Sequence, residues 1–267
     1  MRIFVVNMKT SVKRRKIMEE QLNKLGLRFE IFEAVQGDSL SEQEIMSYYD
    51  KDFYTARPSY FTPGAAGCTL SHYFLYKKMV EENIETALIL EDDMHLSNDL
   101  PEILEKCTAV IRGKEVVMLF YQSYDPIHLS DESAVAVSHA HKLLQVVNIG
   151  RLRSTAGYII NYAGAKSMVE KLLPFSAFPD DWKNFYDRQI LNGIRVLYPL
   201  VLENTYEPTT ISPNIKGGAF LKKIIQMAEK YNVFPIYQLL KRRRKINIAK
   251  SQQCFIVKEA AIDYRKS

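Results

Sequence analysis

"RIFVVNMKTSVKRRKIMEEQLNKLGLRFEIFEAV" (residues 2–35) decides the fold class of this chain. "RIFVVNM" is typical of a buried strand, and "RFEIFEAV" of a second strand. The residues between them predict a helix, because Met18 and Leu22 fall on one face and Gly26 can end it. A strand, a helix and a strand in such a short segment predict a parallel sheet.

The remaining sequence continues the alternation of strands and helices. Further helices are predicted at "CTLSHYFLYKKMVEENI", "LPEILEKCTAVI" and "AGAKSMVEKLLP", and further strands at "TALIL", "EVVMLFYQ" and "RVLYPLVLEN". "HKLLQVVNI" and "TAGYIIN" are predicted to be two additional strands, more exposed or antiparallel. "SYDPIHLSDESAV" is predicted to be a loop. The sequence therefore predicts an α/β fold around a central mixed, mainly parallel sheet.

The charge is distributed unevenly along the chain. The 267 residues carry a net charge of +5, but residues 216–267 hold 13 Lys and Arg against 3 Asp and Glu, which is +10. Residues 1–215 are therefore acidic, at 5 − 10 = −5. We predict a catalytic body over 1–215 and a basic, helical C-terminal appendage over 216–267.

The appendage contains five consecutive basic residues, Lys241 to Lys245, beside apolar residues. This pattern is typical of a segment that binds an anionic membrane surface. The alternatives are a solvated charge run and nucleic-acid binding, but nothing else in the sequence resembles a nucleic-acid-binding module. No stretch resembles a membrane span or a signal peptide, and the three cysteines form no CxxC pair. We therefore expect a cytoplasmic protein, peripheral on the inner face of the cytoplasmic membrane.

Three consecutive acids, Glu91, Asp92 and Asp93, follow the predicted strand "TALIL". The carboxyl edge of a parallel sheet is where ligands bind. If the chain stays extended, Glu91 and Asp93 point one way and Asp92 the other. Converging carboxylates repel unless a cation neutralises them, and Mg²⁺ or Mn²⁺ takes oxygen ligands from carboxylates and diphosphates. The alternative is a solvated acidic turn, and the pattern alone does not separate a sugar-nucleotide site from a phosphatase site.

A set of ordered motifs between Arg2 and Tyr206 makes the prediction more specific. "GCTLSH" precedes "LILEDD", and "STAGYIINYAGAKSM" and "FPDDW" follow. With the opening segment, they resemble family-25 glycosyltransferases, which comprise bacterial lipooligosaccharide galactosyltransferases and related collagen galactosyltransferase domains. The resemblance implies a GT-A-like nucleotide-sugar-binding fold, a UDP-sugar donor (usually UDP-galactose), transfer with inversion, and an acidic motif that holds Mn²⁺ or Mg²⁺.

The resemblance also implies roles for individual residues. Asp93 would bind the metal directly, Glu91 would assist it, and Glu91 and Asp92 would place the ribose and the metal's waters. Six further residues would contact the donor: Asn7, Arg14, Arg15, Gly67, Ser71 and His72. The alternative for each is a solvated surface position or a packed position in the fold. We expect Gly67 to lie just before a helix whose N-terminus faces phosphate or sugar.

Inverting transfer needs one base to take the proton of the acceptor hydroxyl. The family motif places an aspartate after the proline of "FPDDW"; its spacing favours Asp180, with Asp181 second. The alternative for either is to cap the following helix. Trp182 could stack on a sugar or belong to the core. All five histidines lie at or before His141, so none can serve as the late histidine ligand of many GT-A enzymes.

The predicted function is the transfer of galactose from UDP-galactose to a lipooligosaccharide or other surface glycan. Two alternatives use the same sequence features. The first is a metal-dependent phosphohydrolase, and the second is a non-catalytic, membrane-associated glycan-binding protein.

Overall fold

The opening strand, helix and strand form as predicted. The computed structural model describes residues 1–57, 61–206, 223, 225, 227–229 and 231–258. Strand β1 (Arg2–Asn7) pairs in parallel with β2 (Glu30–Glu33), and helix α1 (Val12–Lys24) connects them. Gly26 lies just after α1 with a φ of 68°, in the left-handed region that glycine adopts without a steric cost.

The other strands belong to one large sheet or to two short pairs. In chain order they are β3 (Thr86–Glu91), β4 (Met94–Leu96), β5 (Glu115–Met118), β6 (Gln122–Ser123), β7 (Ile127–Ala136), β8 (Lys142–Val146), β9 (Leu152–Arg153), β10 (Gly157–Asn161), β11 (Gly193–Tyr198), β12 (Leu202–Asn204) and β13 (Cys254–Val257). The nine-stranded sheet has the order β13-β7-β8-β11-β5-β10-β3-β1-β2, while β4 pairs with β12 and β6 with β9.

In the large sheet, β8 and β10 run opposite to the other strands. The predicted mixed, mainly parallel α/β fold is therefore confirmed. The carboxyl ends of β1, β2 and β3 lie side by side at one edge of the sheet.

Seven further helices with both ends in the described residues flank this sheet or connect its strands. They are α2 (Glu42–Tyr48), α3 (Lys51–Ala56), α4 (Pro63–Glu81), α5 (Leu100–Val110), α6 (Tyr162–Lys171), α7 (Trp182–Asp187) and α8 (Ile236–Ser251), with short 3-10 helices at Gly37–Ser39 and Ile149–Arg151. Among the helices of the described ranges, none is long and apolar enough to cross a bilayer.

Two hydrophobic cores cover the two faces of the sheet. On one face, α4, α6 and α7 pack against alternate strand residues such as Ile89. On the other, α1 and α5 pack against Leu88 and Leu90. Because both faces are covered, β3 is buried along its length until Glu91, where the chain leaves the core.

Three regions differ from the expectations for individual segments. The antiparallel direction of β10 was expected, but β10 lies at the centre of the sheet and four of its five residues are buried. The segment predicted to be a loop contains β7, a ten-residue strand. The basic C-terminal segment contributes the helix α8 and also β13, which pairs in parallel with β7.

Candidate functional site

The chain turns directly after β3, so the three acids do not alternate as an extended strand would. Asp92 approaches the neighbouring strand, where Asn7 Nδ2 donates to its Oδ2 at 2.6 Å. Arg14, in the first turn of α1, donates from Nη1 to the other oxygen, Oδ1, at 3.0 Å. Asp92 is therefore held by the protein itself, and the alternation expected for an extended chain does not apply because the chain turns at Asp92 and Asp93.

Asp93 has a different environment. Its Oδ2 lies 3.8 Å from Arg14 Nη1, while its Oδ1 is buried and has no hydrogen-bond partner among the described residues. Burial raises the pKa of this carboxyl, the charge of Arg14 opposes that shift, and the charge of Asp92 adds to it. A buried carboxylate oxygen with an unused lone pair suits a hard divalent cation.

Glu91 completes the acidic cluster from the end of β3. The hydroxyl of Thr155 donates to its Oε1 at 2.7 Å. The Glu91 side chain is 32% exposed, so it is only partly withdrawn from solvent. This partial burial, followed by the charge of Asp93, raises the pKa of Glu91 to about 7. Asp93 and Glu91 line the same cavity, and their carboxylate oxygens are the ligand type that Mn²⁺ or Mg²⁺ takes.

His72 lies beneath Glu91 on α4. Its Nδ1 is 2.8 Å from the hydroxyl of Tyr158, which is in turn 2.7 Å from the hydroxyl of Tyr76. Its Nε2 is buried 3.9 Å from Glu91 Oε1 and has no hydrogen-bond partner within the described part of the chain. Burial lowers the pKa of His72 to about 4, so the ring is neutral at physiological pH.

Cys68 lies one helical turn before His72. Ligand atoms of Cys68, His72 and Glu91 all lie within 4.8 Å of one another. This set of sulfur, nitrogen and oxygen suits a softer ion such as Zn²⁺, unlike the carboxylates above it. Burial raises the pKa of the Cys68 thiol far above its usual range, so it is not an activated nucleophile.

A first cavity of about 280 Å³ opens at this edge of the sheet. The ends of β1 and β2, the loop after β2 and the first turns of α4 form its wall. The wall includes all three acids together with four of the residues predicted to contact the donor: Arg14, Gly67, Ser71 and His72.

Gly67 and Ser71 serve the packing of α4. The helix begins at Pro63, so Gly67 lies inside it, and the expected position before the helix is wrong. A Cβ at Gly67 would lie 2.5 Å from Val35 O and 2.9 Å from Gly37 N. Ser71 Oγ donates to Gly67 O at 2.6 Å and accepts from Val35 N at 2.8 Å. Both residues thus hold α4 closely against the loop that follows β2.

Asn7 and Arg15 do not line the cavity. Asn7 is buried behind Asp92 and orients it. Arg15 is exposed and pairs with Glu19 in the next turn of α1, with Arg15 Nε 2.7 Å from Glu19 Oε1. The structure therefore brings Arg14 to the site, whereas Arg15 lies outside it.

A second cavity, of about 540 Å³, lies beside the first. Glu91 and Cys68 form part of both walls. Asp180 lines the second cavity and accepts from Ser154 N at 3.3 Å. Burial raises the pKa of Asp180. The hydrogen bond from the Ser154 backbone and the charge of Arg153 act in the opposite direction and lower it.

The two aspartates of "FPDDW" have different positions. Asp181 caps α7, accepting from Asn184 N at 3.4 Å, whereas Asp180 faces the cavity. Trp182 is fully buried, donates from Nε1 to Ser154 O at 3.1 Å, and packs edge-on against Tyr158. Of its two expected roles, the core role is the one observed.

Sequence reasoning missed the segment before β10 as part of the site. Arg153, Ser154 and Thr155 all line the second cavity. Ser154 has a φ of 92°, in the left-handed region, and its backbone contacts both Asp180 and Trp182. The motif "STAGYIIN" was the available signal, because it places polar residues directly before a buried strand that runs antiparallel to β3.

Comparison with known proteins agrees with this geometry. Residues 1–182 match the family described as "Glycosyltransferase family 25 (LPS biosynthesis protein)". The chain belongs to glycosyltransferase family 25. The predicted resemblance is thus confirmed over most of the body.

Several relatives in family 25 come from animals. A "Glycosyltransferase 25 family member" of Drosophila melanogaster is 30% identical over 190 residues, which is 66% of this chain and 30% of that protein. "Procollagen galactosyltransferase 2" of Homo sapiens is 28% identical over 226 residues, 76% of this chain and 35% of that protein. The chain therefore spans about a third of the length of these curated relatives.

Solved structures include a distant counterpart. It is described as a glycosyltransferase involved in the glycosylation of the major capsid of PBCV-1, and it is 14% identical with a TM-score of 0.31. The match covers 76% of this chain and 81% of that chain.

Proposed function

We propose that this protein transfers galactose from UDP-galactose to a lipooligosaccharide or another surface glycan, with inversion at the anomeric carbon. Membership of family 25 supports sugar transfer, and relatives named as procollagen galactosyltransferases support galactose. The family's description as an LPS biosynthesis protein supports a bacterial surface glycan as the acceptor.

The observation that carries this proposal is the position of Glu91 in both cavity walls. The first cavity holds the acidic cluster and Arg14, which suit a nucleotide diphosphate with its metal. The second cavity holds Asp180, which suits a base for an incoming hydroxyl. A sugar at the boundary would thus face its leaving group on one side and its acceptor on the other.

In the donor cavity, Asp93 and Glu91 would hold Mn²⁺ or Mg²⁺, which would neutralise charge on the departing diphosphate. Arg14 adds a fixed positive charge that is already oriented by Asp92. Asn7 fixes Asp92 from behind. Gly67 and Ser71 keep α4 close to the cavity wall, and His72 supports Glu91 from below.

In the acceptor cavity, Asp180 would take the proton of the attacking hydroxyl. The raised pKa of Asp180 makes its carboxylate a stronger base than an exposed aspartate. Asp181 is not proposed as the base because its carboxyl caps α7.

A screen of nucleotide sugars tests the proposed function. UDP release is measured for a panel of UDP-, GDP- and CMP-sugars, with and without Mn²⁺ and candidate glycans, and products are identified by mass spectrometry. We expect UDP-galactose with Mn²⁺ to give UDP release and a glycan heavier by one hexose. Release of inorganic phosphate from simple phosphoesters would instead support the phosphohydrolase alternative. Glycan binding without UDP release would support the non-catalytic glycan-binding protein.

We further propose that the C-terminal segment attaches the enzyme to an anionic membrane on the cytoplasmic face. The segment carries exposed apolar side chains, among them Phe234 (78% exposed) and Leu239 (62%), and the exposed Arg242 and Arg243 of α8. Apolar residues beside a basic cluster favour the interface of a membrane with anionic lipid. A glycolipid acceptor would then be concentrated at the enzyme.

Vesicle flotation tests this attachment. The full chain is expected to float with vesicles of phosphatidylglycerol and phosphatidylcholine and to stay unbound with phosphatidylcholine alone. A double change of Arg242 and Arg243 to Glu should abolish flotation. As a control, changing the exposed Lys24 and Lys106 to Glu should leave flotation unchanged. Equal binding of both variants would contradict the role of α8.

A further inference from the structure

The second cavity contains two arginines, Arg57 and Arg153. Arg153 donates from Nη1 to the carbonyl of Leu152 at 2.7 Å. The Arg57 guanidinium lies over the ring of Phe53, 4.8 Å from its centroid. Over the described ranges, no carboxylate forms an ion pair with either arginine. Both arginines therefore retain donors and charge for a ligand.

The two acids of this cavity are hydrogen-bonded by groups other than these arginines. Glu91 Oε1 accepts from the hydroxyl of Thr155 at 2.7 Å, and Asp180 Oδ2 accepts from Ser154 N at 3.3 Å. The cavity therefore presents two guanidinium groups to an incoming molecule, beside the proposed base.

Aromatic side chains complete the wall. Tyr124 is 87% exposed at the cavity, and Phe178 packs 5.3 Å from Phe53 and 5.4 Å from Phe61 between ring centroids. Flat apolar surfaces with a few convergent polar groups are typical of a small-molecule site. A volume of about 540 Å³ accommodates a sugar unit or two.

We propose that the second cavity selects acceptors that carry an anionic group, with Arg153 as the main contact and Arg57 at the rim. This inference rests on the proposed function, because it specifies the acceptor of the same transferase. Guanidinium groups bind carboxylate and phosphate with the same forked geometry. The shared chemistry is therefore an acidic glycan, bearing either a carboxylate sugar or a phosphorylated sugar.

The test uses the full-length protein, the nucleotide sugar found in the screen, and three matched oligosaccharides. One is neutral, one carries a uronic-acid carboxylate, and one carries a phosphate on the same sugar. We expect kcat/KM to favour at least one anionic acceptor by roughly tenfold or more over the neutral one. Arg153→Gln should remove that preference by raising KM for the anionic acceptor, and Arg153→Lys should restore part of it.

Arg151 provides the matched control. It pairs with Asp125 at 2.6 Å on the surface and lies outside the cavity wall, so Arg151→Gln should retain the preference. Equal kcat/KM for neutral and anionic acceptors, or an unchanged preference in Arg153→Gln, would overturn the inference while leaving the transferase intact. Absence of UDP release from every nucleotide sugar would instead overturn the proposed function. The carboxylate and phosphate arms identify which acid is bound.

Discussion

Replacing Asp180 with Asn is expected to lower kcat for sugar transfer by about 10²–10⁴-fold, the usual contribution of a general base. Asparagine retains the shape of the side chain and the oxygen that accepts from Ser154 N, at 3.3 Å in the wild-type protein. It cannot take a proton at neutral pH. We therefore expect the variant to fold normally and to bind UDP as tightly as the wild type, and steady-state kinetics with calorimetric UDP titration measure both.

Asp181→Asn is the matched control, since it removes the same charge from the next residue. Asparagine caps helices as well as aspartate does, so the hydrogen bond from Asn184 N is retained. Transfer by this variant should stay within about threefold of wild type. If the two variants lost activity equally, or if Asp181→Asn lost more, Asp180 would not be the base.

Replacing Asp93 with Asn is expected to remove the stimulation of transfer by Mn²⁺ and to lower kcat by roughly 10²–10³-fold, the scale of one lost electrostatic contact at a developing charge. The reason is the buried Oδ1 of Asp93, which has no protein partner in the described part of the chain. Calorimetric titration of Mn²⁺ in the presence of UDP provides a readout independent of turnover, and it should show weakened binding.

Asp99→Asn serves as the control for this experiment, because Asp99 is an exposed acid at the start of α5. It should bind Mn²⁺ as the wild type does. Cys68→Ser tests the softer cluster of Cys68, His72 and Glu91. Loss of Mn²⁺ binding in Cys68→Ser, with binding retained in Asp93→Asn, would move the metal to that cluster and contradict the assignment to Asp93.

The sequence predicted the parts of the structure that depend on local patterns. The βαβ opening follows from the helical spacing of Met18 and Leu22 between two apolar strands, and both side chains are buried. The position of the acids follows from the apolar run before Glu91. The buried strand ends where polar residues begin, so the chain leaves the core at Glu91. Within "FPDDW", the expected helix cap is observed at Asp181, while Asp180 lines the second cavity.

Contacts between distant segments were harder to foresee. The hydrogen bond from Asn7 to Asp92 joins residues 85 positions apart and exists because β1 and β3 are neighbours. The turn at Asp92 and Asp93 could not be read from composition, since the acids also fit an extended strand. Strand β7, between β13 and β8, has a polar end and no helix period, so its sequence alone resembles a loop.

Glu91 and Cys68 border both cavities, so a single layer of side chains separates the two ligands. On the proposed function, a ligand in one cavity would therefore alter the Glu91 carboxyl that the ligand in the other cavity meets. Their affinities would be thermodynamically linked, and such linkage is reciprocal. A bound donor would alter acceptor affinity by the same factor by which a bound acceptor alters donor affinity.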